Sequence, residues 1–552
     1  MKTKNFSKHH YKDIAIHLFF LFIIWKLYGN VIYLWWTYDD TQLLKHAILY
    51  SPFQYFFQPH IWQDLSASFL SPLLVLSFDI DKTLFGLDPK WFYIHHLVII
   101  WGCGMLLYTV LRRWVEQFFA FIGTLLFLFT SPIAVLSQQL MTRHYLEGLL
   151  FSLICIHLFV KSLDKTDLKL SYFSSFMYLI AMTAKEVFVP LIFILSALPL
   201  NDWKKRFKYL FPHASMLFFY SIWRWYMLET PIGGYGNKME IQNIFQLPYT
   251  IIDFLFDSKS IPGIATSVLL IIFLIAFWFK QRRAALLGVW VGLLAILPVT
   301  TVAYTHAHRY FLVIWLVVIV FFVFIIKLSC QSNLTFKVLC LCLALSITFQ
   351  AISLNIRDWN NNLLEAKRMS SEGKFIFNET SSVSNVLRKP AFEGHYLMGV
   401  NWLKRHYYHE LMVTDWFYDD IYLCENNLDK KKVFEYSVNE QKIIDITHAI
   451  PFIINDYCGR IKNDVPLFIK GKYSKNVVSW ELGPYNNGKY SFILGGSHTK
   501  RDIPPKGSLR VHFKDHIVFR IRYESPDGWI TFSPYLIIEV NDGNSVVNWE
   551  RV

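Results

Sequence analysis

IAIHLFFLFIIWKLYGNVIYLWW, Ile14–Trp36, followed at once by Thr37-Tyr38-Asp39-Asp40-Thr41, is the stretch whose reading decides the class of fold. The run exceeds the roughly 20 apolar residues a helix needs to cross about 30 Å of hydrocarbon. Trp35 and Trp36 suit the headgroup level, and two adjacent carboxylates follow them. An acid at a membrane exit is costly unless it is hydrated or used, so the pair is a candidate site. The plainer reading is a polar stop for the helix. The run is too long for the core of a cleavable signal and no small-residue cleavage site follows, so it reads as a retained anchor.

Outward from this stretch the pattern recurs. Apolar runs fall at Tyr93–Leu111, Phe118–Leu136, Leu146–Leu163, Tyr172–Ala184, Val187–Leu200 and Tyr209–Met227, then at Gly263–Phe279, Ala284–Ala303, Tyr310–Ile326 and Val338–Leu354. They predict a polytopic α-helical membrane protein with about eleven spans, the fifth and sixth short enough to form a hairpin or one long helix. Composition agrees: hydrophobic residues make up 54%, aromatics 18% and charged residues 17% of the chain. The mean hydropathy of +0.32 is too high for a soluble protein of this length.

The net charge of +13 invites a nucleic-acid partner, but the placement of the charges argues against one. Lys2, Lys4, Lys8 and Lys12 precede the first span, and Arg112 and Arg113 follow the second. Lys161, Lys165 and Lys169 follow the fourth, Lys204, Lys205, Arg206 and Lys208 the sixth, and Lys280, Arg282 and Arg283 the eighth. Basic clusters at every second span end mark the cytoplasmic side. The N-terminus is therefore expected in the cytoplasm of a cell inner membrane, with Asp39, Asp40 and the C-terminal region on the outer face.

Three regions are expected. Residues 1–354 form the transmembrane domain, 355–464 an extracytoplasmic mixed α/β region, and 465–552 an extracytoplasmic β-sandwich. The sandwich rests on alternating runs such as Val477–Leu482 and Ser508–Phe513, separated by the turn signals Asn486-Asn487-Gly488, Ser525-Pro526-Asp527-Gly528 and Asn541-Asp542-Gly543. In the first outer loop, Leu43–Gln58 reads as a helix in the membrane interface and Ser66–Phe78 as a juxtamembrane or re-entrant segment. Of seven cysteines, only Cys424 and Cys458 belong to the outer region, where a disulfide is chemically permitted, and these two are expected to pair.

The acidic pair, Ser71-Pro72-Leu73-Leu74-Val75-Leu76-Ser77-Phe78, Leu84-Phe85-Gly86-Leu87-Asp88-Pro89 and His95-His96, in that order, resemble class C glycosyltransferases. The likeness is strongest to the protein O-mannosyltransferase and aminoarabinose-transferase branches and covers Ile14 to Tyr310. Later motifs agree. Thr183-Ala184-Lys185-Glu186 with Pro190 resembles a donor-phosphate motif, Trp223-Arg224-Trp225-Tyr226 with Gly233-Gly234-Tyr235-Gly236 a span exit and its glycine-rich loop, and His306-Ala307-His308-Arg309-Tyr310 an Arg-Tyr helix opening.

The resemblance implies transfer of a sugar from a polyprenyl-phosphate donor to a lipid-linked glycan, lipopolysaccharide or protein at the outer face, with inversion by a single attack. Asp39 or Asp40 serves as general base, Asp40 being the orienter if Asp39 is the base. Lys185 and Arg309 hold the leaving phosphate. Arg143, His144, Glu147, His306 and His308 position acceptor or sugar. No cofactor is expected. A metal at the His306/His308 pair is not favoured, for want of a third ligand and of a second Asp-x-Asp motif in the second outer loop. The rival readings are a polymerase or ligase of lipid-linked glycans, a transporter, and a glycan-binding scaffold without catalysis.

Overall fold

The computed structural model describes residues 3–66, 68–198, 200, 202–230, 241–300, 308–330, 334–378, 385–391, 394–409, 414–428, 431–474, 477–495, 500–510, 517–538 and 547–551. They form two compact units, Met1–Ala366 and Lys367–Val552.

The described part of the first unit is helical. It opens with α1 (Thr3–Tyr28) and the 3-10 turn Gly29–Tyr33. Four short helices follow, α2 (Asp40–Leu49), α3 (Pro52–Phe57), α4 (Pro59–Leu65) and α5 (Pro72–Phe85), where the sequence led us to expect an interfacial and a juxtamembrane segment. Three of them begin with proline, whose missing N–H costs nothing in a first turn. Next come α6 (Pro89–Leu111), α7 (Gln117–Leu128), α8 (Ser131–Leu136), α9 (Arg143–Lys165), α10 (Leu168–Ala184), α11 (Leu191–Ala197) and α12 (Trp203–Leu228). The series ends with α13 (Ile241–Phe256), α14 (Ile261–Lys280), α15 (Arg282–Ile296), α16 (Leu312–Cys330) and α17 (Leu334–Asn378).

Seven helical stretches among the described residues are long and apolar enough to cross a membrane: Tyr11–Tyr33, Pro89–Leu111, Leu140–Lys165, Ile261–Lys280, Arg282–Val299, His308–Cys330 and Leu334–Asn378. The chain is therefore a membrane-embedded helical protein. Prolines account for part of the difference from about eleven runs. The run Phe118–Leu136 divides into α7 and α8 where Pro132, at the start of α8, has no N–H to continue the earlier ladder. Tyr172–Ala184 and Val187–Leu200 are separated by an extended residue, Lys185, and the 3-10 turn Glu186–Phe188. Helix α17 continues past Leu354, where hydropathy falls, and the boundary between the two units lies inside it at 366–367. At 1.5 Å per residue its 45 residues reach roughly 68 Å, about twice the hydrocarbon thickness.

One close approach shapes the first unit around the candidate site. A Cβ at Gly148 of α9 would lie 2.2 Å from the ring of Phe188, so only glycine lets α9 touch the 186–188 turn.

The second unit begins with an α/β layer: β1 (Asn385–Arg388), α18 (Gly394–Tyr408), β2 (Asp415–Phe417), α19 (Ile421–Glu425), β3 (Lys432–Ser437), β4 (Lys442–Asp445) and α20 (Ile450–Gly459). The sheet order is β2-β1-β3-β4, with β1 parallel to both neighbours and β4 antiparallel to β3. Then follow β5 (Phe468–Ser474), β6 (Val477–Gly483), β7 (Lys489–Leu494), β8 (Lys500–Ile503), β9 (Lys506–Arg510), β10 (Ile517–Glu524), β11 (Ile530–Phe532), β12 (Leu536–Ile538) and β13 (Val547–Arg551). Two antiparallel sheets result, β11-β10-β7-β8 with β12 on β10, and β13-β5-β6-β9. Ile469, Val478, Trp480 and Leu482 of one meet Tyr490, Phe519, Ile521 and Tyr523 of the other, which is a β-sandwich core. The turn signal at Asn541-Asp542-Gly543 lies outside the described residues. Cys424 and Cys458 form a disulfide that joins α19 to α20, with their Cα atoms 6.1 Å apart.

Candidate functional site

The two acids at the end of the first span have different surroundings. Asp40 is fully buried at the start of α2. Its Oδ2 accepts from the Thr37 N–H at 2.9 Å and its Oδ1 from the Met141 N–H at 2.8 Å, which fastens α2 to the turn leading into α9. Burial pushes its carboxyl up to about 7, against the opposing effect of those two N–H donors. Asp39 is only partly buried and occupies the N-cap position of α2, where the helix dipole favours a negative charge. The residue before it, Tyr38, is buried and held at φ 47°, a left-handed conformation that costs about 1 kcal/mol or more and concentrates at working sites. Its phenol, raised above the ordinary range first by burial, bonds Gln139 and lies within electrostatic reach of Glu365, Asp40 and Arg309.

Lys185 and Arg309 are brought to one neighbourhood. The Lys185 Nζ lies 4.2 Å from the ring centre of Phe69 and 5.4 Å from that of Tyr145. Tyr145 stands edge-on to Tyr310 with centroids 6.1 Å apart, and the Arg309 guanidinium lies 5.1 Å from the Tyr310 ring. Burial lowers the Lys185 ammonium below the usual lysine range and Arg309 lowers it further, while Glu186 opposes both. Glu186 is otherwise engaged: its Oε1 accepts from Arg224 Nε of α12 at 2.7 Å. Among the described residues no carboxylate forms an ion pair with Lys185. Within the Trp223-Arg224-Trp225-Tyr226 motif, Arg224 is the residue that bonds Glu186.

Arg143 is fully buried and committed to packing. Its Nη1 donates to Asp81 at 2.6 Å and Ser77 at 2.9 Å, its Nη2 to the Phe92 carbonyl at 2.8 Å, and Asp81 in turn meets His95 Nδ1 at 2.7 Å. It clamps α5, α6 and α9 together. Glu147, one turn further along α9, is buried beside it, with Oε2 lacking a hydrogen-bond partner among the described residues. His144 is buried within electrostatic reach of both Lys185 and Arg309. His308 pairs with Ser131 and Asp358. His306 and Gly233-Gly234-Tyr235-Gly236 lie outside the described residues. Among the described residues, no group of three or more His, Cys, Asp or Glu side chains is arranged to hold a metal ion.

Asp81, Asp358, Tyr38 and the Glu186–Arg224 pair were not singled out from the sequence. Asp81 and Asp358 carried a signal, an acid beside an apolar run, and the same rule that flags Asp39 applies to them. Tyr38 carried none, since backbone strain has no signature in residue type. The site thus offers a half-buried carboxylate, two cations lined by aromatic rings, and a buried tyrosine within electrostatic reach of Asp40 and Arg309. Such a set can take up a proton on one side and stabilise an anion on the other. No family model matches the chain and no curated protein is similar to it.

Proposed function

We propose that this protein is an inverting glycosyltransferase that moves a sugar from a polyprenyl-phosphate donor to a glycan, lipid or protein acceptor. The observation that carries this reading is the convergence of Lys185 and Arg309, distant in sequence, around Tyr145 and Tyr310. Two neighbouring cations attract an anion, and a lipid phosphate is the anion a membrane supplies. Asp39 is the general base that deprotonates the attacking hydroxyl or amine, and Asp40 orients it by fixing the start of α2. Lys185 and Arg309 neutralise the leaving phosphate as its bond to the anomeric carbon breaks.

A class C arrangement of about eleven crossings, with a cytoplasmic N-terminus, would bring Asp39, His144, Lys185 and Arg309 to one outer face. The proximity of His144, Lys185 and Arg309 in the first unit supports it, as does the Cys424–Cys458 disulfide, which needs an oxidising compartment for the second unit. An inner membrane facing a periplasm satisfies both conditions.

The test is to incubate the purified full-length protein in vesicles with polyprenyl-phosphate sugars extracted from its own membrane, and to follow free polyprenyl phosphate by mass spectrometry. Release by the wild type and its loss in Asp39→Asn is the expected result. Failure of the wild type to release it, with acceptor glycans present, overturns the proposal. Comparing envelope glycans with and without the gene names the sugar.

A further inference from the structure

Three polar side chains from separate elements meet next to Arg309, and none has a part in the chemistry above. Ser131 opens α8, His308 opens the 3-10 turn His308–Phe311, and Asp358 lies on α17. Ser131 and Asp358 are 1% and 5% exposed. Ser131 Oγ lies 2.5 Å from Asp358 Oδ2 and 2.7 Å from His308 Nδ1, whereas His308 Nδ1 and Asp358 Oδ2 are 3.5 Å apart, beyond a good direct bond.

Counting protons fixes the direction of this chain. An ionised carboxylate only accepts, so the single hydroxyl proton of Ser131 points to Asp358. Ser131 then offers His308 only lone pairs, and the proton between them belongs to Nδ1. The other oxygen of Asp358 accepts from Arg357 Nε at 2.9 Å, and Arg357 also reaches Asp257 at 2.9 Å, so the carboxylate is anchored from both sides. The imidazole also meets Phe254 in a tilted, edge-type contact with centroids 4.6 Å apart, and Phe254 stacks on Phe311 at 3.8 Å. Both ends of the four-residue turn that carries Arg309 are therefore held, one by hydrogen bonds and one by an aromatic stack.

We infer that Asp358 and Ser131 are positioning residues for the phosphate end of the site: by fixing His308 as its Nδ1–H tautomer they hold the turn that presents Arg309 to an anionic lipid phosphate. The inference rests on the donor-phosphate reading of Arg309. It assigns α17 a role in the site that the family resemblance, which ends at Tyr310, does not reach.

The experiment uses the full-length protein in detergent micelles with undecaprenyl phosphate as probe, binding being read from tryptophan fluorescence. The His308 tautomer is read from nitrogen-15 shifts, with the resonance identified by its loss in His308→Gln. The wild type is expected to bind the probe and to carry the His308 proton on Nδ1. Ser131→Ala and Asp358→Asn are expected to lose that signature and to bind about ten- to a hundredfold more weakly. Should Asp358→Asn not fold, Ser131→Ala, which removes one oxygen, carries the test. A wild-type proton on Nε2 overturns the inference. So does wild-type binding by both variants when Arg309→Ala has lost it, an outcome that leaves the donor reading standing. Undiminished binding by Arg309→Ala overturns both.

Discussion

Two carboxylates side by side at a helix start cannot share a solvent exposure, because successive residues point to different faces of the turn, and this separates the roles of Asp39 and Asp40. Asp39→Asn is expected to lower transfer by roughly two to four powers of ten with the melting temperature unchanged, as measured by product release and by thermal unfolding in detergent. Asp40→Asn is expected to destabilise by about 1–3 kcal/mol, because both oxygens accept backbone N–H groups and an amide must turn its NH2 against one of them. The pH dependence has a definite sign. The Asp40 carboxyl is raised from 3.8 to about 7 in the fold, so its contribution to stability is full below its ordinary value and is lost as pH rises through about 7. Melting temperature is therefore expected to fall from pH 4 to pH 7 in the wild type, more steeply than in Asp40→Asn. At the cations, Arg309→Lys is expected to weaken donor use, since charge is kept and the planar fork is lost.

Elements meet at the site through a few contacts that tolerate no added bulk. Gly148→Ala places a methyl group 2.2 Å from the Phe188 ring, so either α9 or the 186–188 turn must move. Overpacking of this kind costs about 1–3 kcal/mol. It is expected to raise the KM for the donor, because Lys185 immediately precedes that turn, and steady-state kinetics on the vesicle-embedded variant read the effect. In the second unit, α19 and α20 are joined by a disulfide that closes a loop with a sequence separation of 34. Cys424→Ser/Cys458→Ser is expected to lower stability by about 3–4 kcal/mol. Unfolding of the full chain with and without reductant, against the double variant, measures it: reductant is expected to lower the wild-type midpoint and to leave the variant's unmoved. Beside the bridge, Glu425 pairs with Arg520 of β10 at 2.6 Å and Asp419 meets Arg522 at 3.3 Å, so α19 and its approach are also tied to the sandwich by charge.

For the whole molecule, the basic clusters and the disulfide make one topological prediction. Alkaline phosphatase, which folds only outside the cytoplasm, is expected to be active when fused after Val552 and inactive when fused after Lys165. Activity at Lys165 would reverse the orientation and place the carboxylates and cations on the cytoplasmic side.

The membrane class, the apolar helices, the α/β stretch and the sandwich were legible in the chain, because hydropathy and its period are local properties of consecutive residues. Asp39, Lys185 and Arg309 were legible as charges beside apolar runs. What they do was decided elsewhere. Glu186, the sequence neighbour of Lys185, is bonded by Arg224 from another helix. Arg143 clamps three helices because Asp81 and Ser77 meet it from α5. Asp40 is filled by an N–H donated from Met141, and Ser131, His308 and Asp358 join through partners up to 227 residues apart. A charge declares its cost in the sequence of its neighbours, but the partner that relieves or exploits that cost is chosen only when distant segments pack.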